Sequence, residues 1–140
     1  MSTHPVAIRF DEALLERVRH LAKVRATTVS ALIQTMADEG ARLREHPGIV
    51  FRDGPAGRRP GLARGQDVWE VIDAVRHVEG KAALSLGELA DEIGLSERDL
   101  GVALDYYADH GDEIDQWIDD NDRLLDEAER RARAKRSILA

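Results

Sequence analysis

The sequence predicts a mainly α-helical chain: one strand with two helices first, a small β-hairpin and helical bundle domain next, and a long C-terminal helix. Three observations carry this. Apolar residues recur every three to four positions over most of the 140 residues, the spacing of helices with one buried face. Strict alternation is confined near the start to Val6, Ile8 and Phe10 against Pro5, Ala7 and Arg9, which marks a half-buried strand. Ser, Thr or Asp stands before the helical stretches and Gly after several of them, where start and stop signals belong.

Asp11 follows the strand and caps a first helix whose face is Leu14, Leu15, Val18, Leu21 and Ala22. "RATT" makes a short turn, with Thr27 or Thr28 as the next cap. Ala31, Leu32, Met36, Ala37 and Leu43 supply the apolar positions of a second helix. A single strand leaves its ladder N–H and C=O groups unpaired. The simplest partner is the same strand of a second copy, pairing antiparallel about a two-fold axis while the helices bury the inner face. Neither copy is expected to be stable alone, because one strand and two helices make too little core.

"EHPGIVFRDGPAGRRPGLARGQDVW" holds three of the four prolines. "GIVFR", the Asp53-Gly54 turn signal and "GRRPGL" predict a short, irregular hairpin, with Pro60 placing its second arm at an edge. Three helix starts then show capping-box spacing: Asp67 with Glu70, Ser85 with Glu88, and Ser96 with Asp99 in place of Glu. Gly80, Gly94 and Gly111 sit at helix stops. A last helix starts near Asp112 with the stripe Ile114, Trp117, Ile118, Leu124, Leu125, Ala128, Ala132, Ile138 and Leu139. The expected boundaries are 1–45, 46–111 and 112–140.

The net charge of −7 is unevenly spread. Residues 1–46 carry seven Lys/Arg against six Asp/Glu, residues 81–127 three against fifteen, and residues 128–140 five against one. A near-neutral N-terminal part is compatible with nucleic acid, whereas the acidic stretch asks for a different partner. The chain has no cysteine, so disulfides and thiolate metal sites are excluded and a cytoplasmic setting is expected. No apolar run is long enough to span a membrane and nothing reads as a signal peptide. His4, His20, His46, His77 and His110 show no metal-ligand spacing. No nucleophile–base pair, P-loop or dinucleotide fingerprint occurs. The chain is therefore read as a non-enzyme without metal or cofactor.

"VAIRFDEALLERVRHLA" followed by "ATTVSALI" resembles the ribbon-helix-helix (CopG/Arc-like) family over residues 5–45. The resemblance implies an intertwined homodimer that reads operator DNA. Thr3, Ala7 and Arg9 would face the major groove, and Thr28, Val29 and Ser30 would hold a phosphate. A two-stranded ribbon fits that groove and free helix N–H groups suit an anion. Arg9 would carry most of the direct readout, and its loss would discriminate a DNA-binding dimer from a purely interactional one.

"LGELADEIGLSERDLGVALDYYADH" has the outline of a helix-turn-helix, but its second helix offers Arg98 against Glu97, Asp99, Asp105 and Asp109. Phosphates would repel it, so it is read as structural. The wider stretch 46–120, from "HPGI" through "DVWEV" to "LSERDLGVALDYY", resembles domain-of-unknown-function family 433. That pairing of domains is similar to VapB-type antitoxins, which implies a PIN-like ribonuclease toxin as partner and autoregulation of the operon. Trp69 is expected in the core. The toxin-binding tail would use Trp117, Ile118, Leu124, Leu125 and Ala128 as an apolar seam. Asp115, Asp119 and Asp120 would cover the toxin's RNA surface, and Arg131, Arg133 or Arg136 would pair with its metal-binding carboxylates. Acid near a helix start and base near its end also complement the helix dipole. The alternative is a free-standing ribbon-helix-helix regulator with no toxin.

Overall fold

A computed structural model describes residues 2–140. The chain divides into two compact units, one ending at Arg42 and the other running from Leu43 to Ala140.

The first unit begins with helices, not with a strand. Residues 2–10 carry no helix or strand, so the strand expected from the alternation of Val6, Ile8 and Phe10 does not form within the chain. The physical reason is the one that posed the pairing problem: a ladder needs a second strand, and the two strands present among the described residues are bonded to each other. Val6 and Ile8 are accordingly 76% and 65% exposed. Helix α1 spans Glu12–Val24, and Asp11 Oδ2 accepts the Leu14 N–H at 3.2 Å, as expected of the cap. The turn after it places Ala26 in the left-handed region at φ 53°. Thr27 N–H donates back to the Ala22 carbonyl at 2.9 Å, closing the helix end. Helix α2 spans Val29–Glu45 and starts on Thr28, whose Oγ1 accepts the Ala31 N–H at 3.1 Å. Val18, Ala22 and Leu32 are buried, with Val29 and Ile33 packed against them, while Leu14 and Leu21 stay exposed.

The second unit opens on the expected hairpin. Strands β1 (Ile49–Arg52) and β2 (Arg59–Leu62) run antiparallel, with Ile49 opposite Leu62 and Arg52 opposite Arg59. Gly48 stands before β1 at φ 102°, where a Cβ would also lie 3.2 Å from Val102, so both backbone and space call for glycine. Gly54 and Gly57 exchange backbone hydrogen bonds of 3.1 and 3.0 Å across the tip.

Helix α3 (Val68–Arg76) begins after Asp67, whose N–H donates to Glu70 Oε1 at 3.2 Å. A single 3₁₀ turn, Lys81–Ala83, follows Gly80, which sits at φ 68°. Helix α4 (Leu86–Glu92) has the full Ser85/Glu88 capping box. Helix α5 (Glu97–Leu139) starts on Ser96, which accepts the Asp99 N–H at 3.1 Å. The helix stop expected at Gly111 is a kink instead: His110 leaves helical geometry at φ −132°, ψ 35°, and the helix continues past it. The adjoining glycine offers little side-chain resistance to such a bend.

Ile49, Leu62, Val68, Val71, Ile72, Ala90, Leu100, Ala103, Tyr106, Ile114 and Ile118 form one buried cluster. The first two turns after the kink thus belong to the domain core. The unsupported part of α5 begins after Ile118 and not at residue 112, because Ile114 and Ile118 pack against the rest of the unit.

Candidate functional site

The sequence points to two surfaces, one at each end of the chain. At the N-terminus, Thr3, Ala7 and Arg9 are exposed on the extended stretch before α1. Thr28, Val29 and Ser30 sit at the first turn of α2, where Thr28 is spent on the cap and Ser30 is exposed. No strand pair displays the first group within one chain.

At the C-terminus, α5 outruns its domain. Residues 119–139 span about 30 Å at 1.5 Å per residue. From Asp122 onward every residue except Ala132 is exposed. Leu124 and Leu125 are 61% and 57% exposed, and Ile138 and Leu139 are 85% and 86% exposed. Ile114, Ile118, Leu125, Ala128, Ala132 and Leu139 fall on one heptad stripe, so the seam beyond the core continues the line that the core already buries. Arg131, Arg133 and Arg136 stand exposed beside it.

Two residues placed in this surface by sequence reasoning lie elsewhere. Ile118 is 3% exposed and part of the core, so it offers nothing to a partner. Asp115 is engaged at home: its Oδ1 accepts from Tyr107 Oη at 2.9 Å and from the Arg76 guanidinium. Arg76 also donates to Tyr107 Oη at 3.1 Å and lies over that ring. The Tyr107 hydroxyl first, then Arg76, hold the Asp115 carboxyl below its ordinary pKa. Asp115, through its hydrogen bond, raises Arg76 above its ordinary value. Asp120 bonds Gln116 and Arg123 along the helix at 2.8 and 2.5 Å.

Sequence reasoning missed two features. The first is a groove of about 650 Å³ in the second unit. Trp69, Trp117, Leu124 and the hairpin tip at Pro55–Ala56 line it, and Glu70, Glu113 and Asp120 also contribute. Trp69 is half-buried against the core and not enclosed by it. The wall near the hairpin is fixed by Asp67, a buried carboxylate that pairs with Arg59 and lies 3.4 Å from Arg52. Arg59 is thus tied down. Arg58 remains at the tip, 3.3 Å from Asp53. The pair of tryptophans was visible in the sequence, but nothing local brings residue 69 beside residue 117.

The second is a meeting of histidines that lack any ligand spacing along the chain. His46 and His110 stand with ring centroids 5.7 Å apart, both against Tyr106 at 5.1 and 4.6 Å. Glu45 completes a group of potential ligand atoms that all lie within 4.8 Å of one another. No helix among the described residues is long and apolar enough to cross a membrane. No family model, curated protein or solved structure matches the chain.

Proposed function

We propose that the chain is the antitoxin of a two-component module: a homodimer that binds operator DNA through its N-terminal part and neutralises a PIN-like ribonuclease through α5. The observation that carries this reading is the continuation of α5 beyond its domain, with leucines left in water on the core-facing stripe. A domain that needed the helix only for its own core would end it near Ile118. Contiguous exposed apolar residues on a helix mark a surface awaiting a groove.

The roles follow from chemistry. Leu124, Leu125 and Ala128, with Trp117 at the inner end, supply apolar area. Arg131, Arg133 and Arg136 present planar, bidentate donors to the carboxylates of a metal-dependent nuclease. The acidic residues near Asp119 and Asp120 match a surface built for RNA and steer the encounter. At the other end, Val6, Ile8 and Phe10 pair with their counterparts in a second chain. Arg9 would then contribute about 1–3 kcal/mol per subunit by reading guanine, and Ala7 only a methyl contact.

The test is co-purification of the full chain, and of the chain cut after Asp122, with the product of the adjacent gene. Retention by the full chain alone is the expected outcome. The cut preserves Ile114 and Ile118, so loss of the complex reports the tail and not the domain. A truncated chain that still neutralises the nuclease overturns the reading. The tryptophan groove supports the second reading, a toxin-free regulator whose second unit takes a ligand there. Under that reading, truncation leaves repression of the operon unchanged.

A further inference from the structure

We infer that Glu45, His46 and His110 form a binding site for a divalent transition-metal cation, with zinc the closest chemical match. The strongest observation is that two imidazole nitrogens are buried without a hydrogen bond. His46 is 7% exposed, and its Nε2 and that of His110 are buried without a hydrogen-bond partner. Nε2 of His46 does lie 2.9 Å from Asp109 Oδ2, yet makes no properly directed hydrogen bond with it. Buried polar atoms of a native protein are nearly always satisfied. Two such atoms on rings 5.7 Å apart, with a carboxylate in the same group, have the composition of a metal site.

The donor set fits a borderline cation. Two neutral imidazoles and a carboxylate suit zinc and its neighbours, whereas calcium and magnesium prefer oxygen alone. Ligand atoms around tetrahedral zinc stand about 3.3 Å apart, as bond lengths of about 2.0–2.1 Å require. The three groups here lie within 4.8 Å of one another. Closure therefore asks for a small rotation, and Glu45, at the exposed end of α2, is free to supply it. Asp109 Oδ2, 2.9 Å from His46 Nε2, would exchange that contact for a coordinate bond. Metal binding by Nε2 leaves the ring proton on Nδ1 in each histidine.

The fold also explains why the sequence hides this site. His46 directly follows α2, and His110 is the residue at which α5 kinks. A cation would pin the segment entering the hairpin to that kink, crossing a stretch of chain that contains β1, β2, α3 and α4. It would lend stability where the helix has its one break in geometry, as a ligand bound to the native state does. This assignment is independent of any toxin or DNA partner.

The experiment is zinc titration of the full chain against a chromogenic chelator, in excess magnesium to occupy the acidic surface. Visible absorption of the cobalt-loaded protein gives a second readout. One zinc per chain is expected, with a raised midpoint of thermal unfolding and a cobalt spectrum intensified over aqueous cobalt. His46→Asn and His110→Asn should each weaken binding by at least about tenfold, since even outer-shell partners of metal ligands cost about 10–100-fold. Glu45→Gln should weaken it as well, and its exposed position keeps it from disturbing the core. His20→Asn, on exposed α1, should bind as wild type does. Failure of the wild-type chain to take up zinc, or wild-type affinity in His46→Asn or His110→Asn, overturns the site.

Discussion

Asp115 shows how one side chain can be read correctly in type and wrongly in use. Its carboxylate was expected to meet a partner's basic surface, but Tyr107 and Arg76 already occupy it. The sequence separates Arg76 from Asp115 by 39 residues, and the spacing of acids along a helix says nothing about a cation arriving from another. The consequence is a pH dependence with a definite sign. The folded-state pKa lies below the ordinary carboxylate value. The group therefore contributes stability that is present above the unfolded pKa and lost as pH falls through the folded one. Arg76 is raised from an already high value, so it stays charged throughout that range. Asp115→Asn should lower the unfolding midpoint slightly at neutral pH, and the gap to wild type should close between about pH 5 and pH 2. Thermal melts across that range measure it. A gap independent of pH would show that the carboxylate's charge contributes nothing.

Among the elements, the hairpin was the most legible and the least understood. Its strands, the Asp53-Gly54 turn and the edge position of Pro60 were all written locally, in alternation and turn chemistry. So were the caps at Asp11, Thr28, Ser85 and Ser96. What local signals omit is that Asp67 does more than start α3. It takes Arg59 from β2 and approaches Arg52 from β1, tying both strands to the helix that follows. These partners are eight and fifteen residues away, beyond the reach of any capping rule. Asp67→Asn isolates the electrostatic share, because Asn caps a helix about as well as Asp. We expect a loss of about 2–3 kcal/mol in chemical denaturation, less than the roughly 3–5 kcal/mol of a fully buried pair, because both arginines keep contact with water. The Trp69–Trp117 groove should loosen in parallel, read as a shift of tryptophan emission to longer wavelength. A variant as stable as wild type would mean that the guanidiniums find other acceptors.

For the whole molecule the deciding quantity is how much each unit buries. The second unit closes around a core that includes Tyr106, Leu100 and Ile114 and accounts for its own fold. Among its described residues the first buries Val18, Ala22 and Leu32 alone, and two helices ordered around three side chains do not offset the chain entropy of ordering them. The alternation at Val6, Ile8 and Phe10 was legible, but the ladder it implies cannot exist inside one copy. The proposed dimer resolves both shortfalls with the same residues, and it makes the two units separable in experiment. Ile8→Asp puts a charge on the face that the second copy would cover. The chain should then sediment as a monomer at micromolar concentration. Residues 12–42 should become sensitive to protease, while the fragment from Leu43 onward keeps its helix content and its cooperative melt. Arg9→Ala, on the opposite face of the same stretch, should leave the dimer and both melts intact. An Ile8→Asp chain that remains dimeric would place the dimer contact elsewhere and remove the basis for a DNA-reading ribbon.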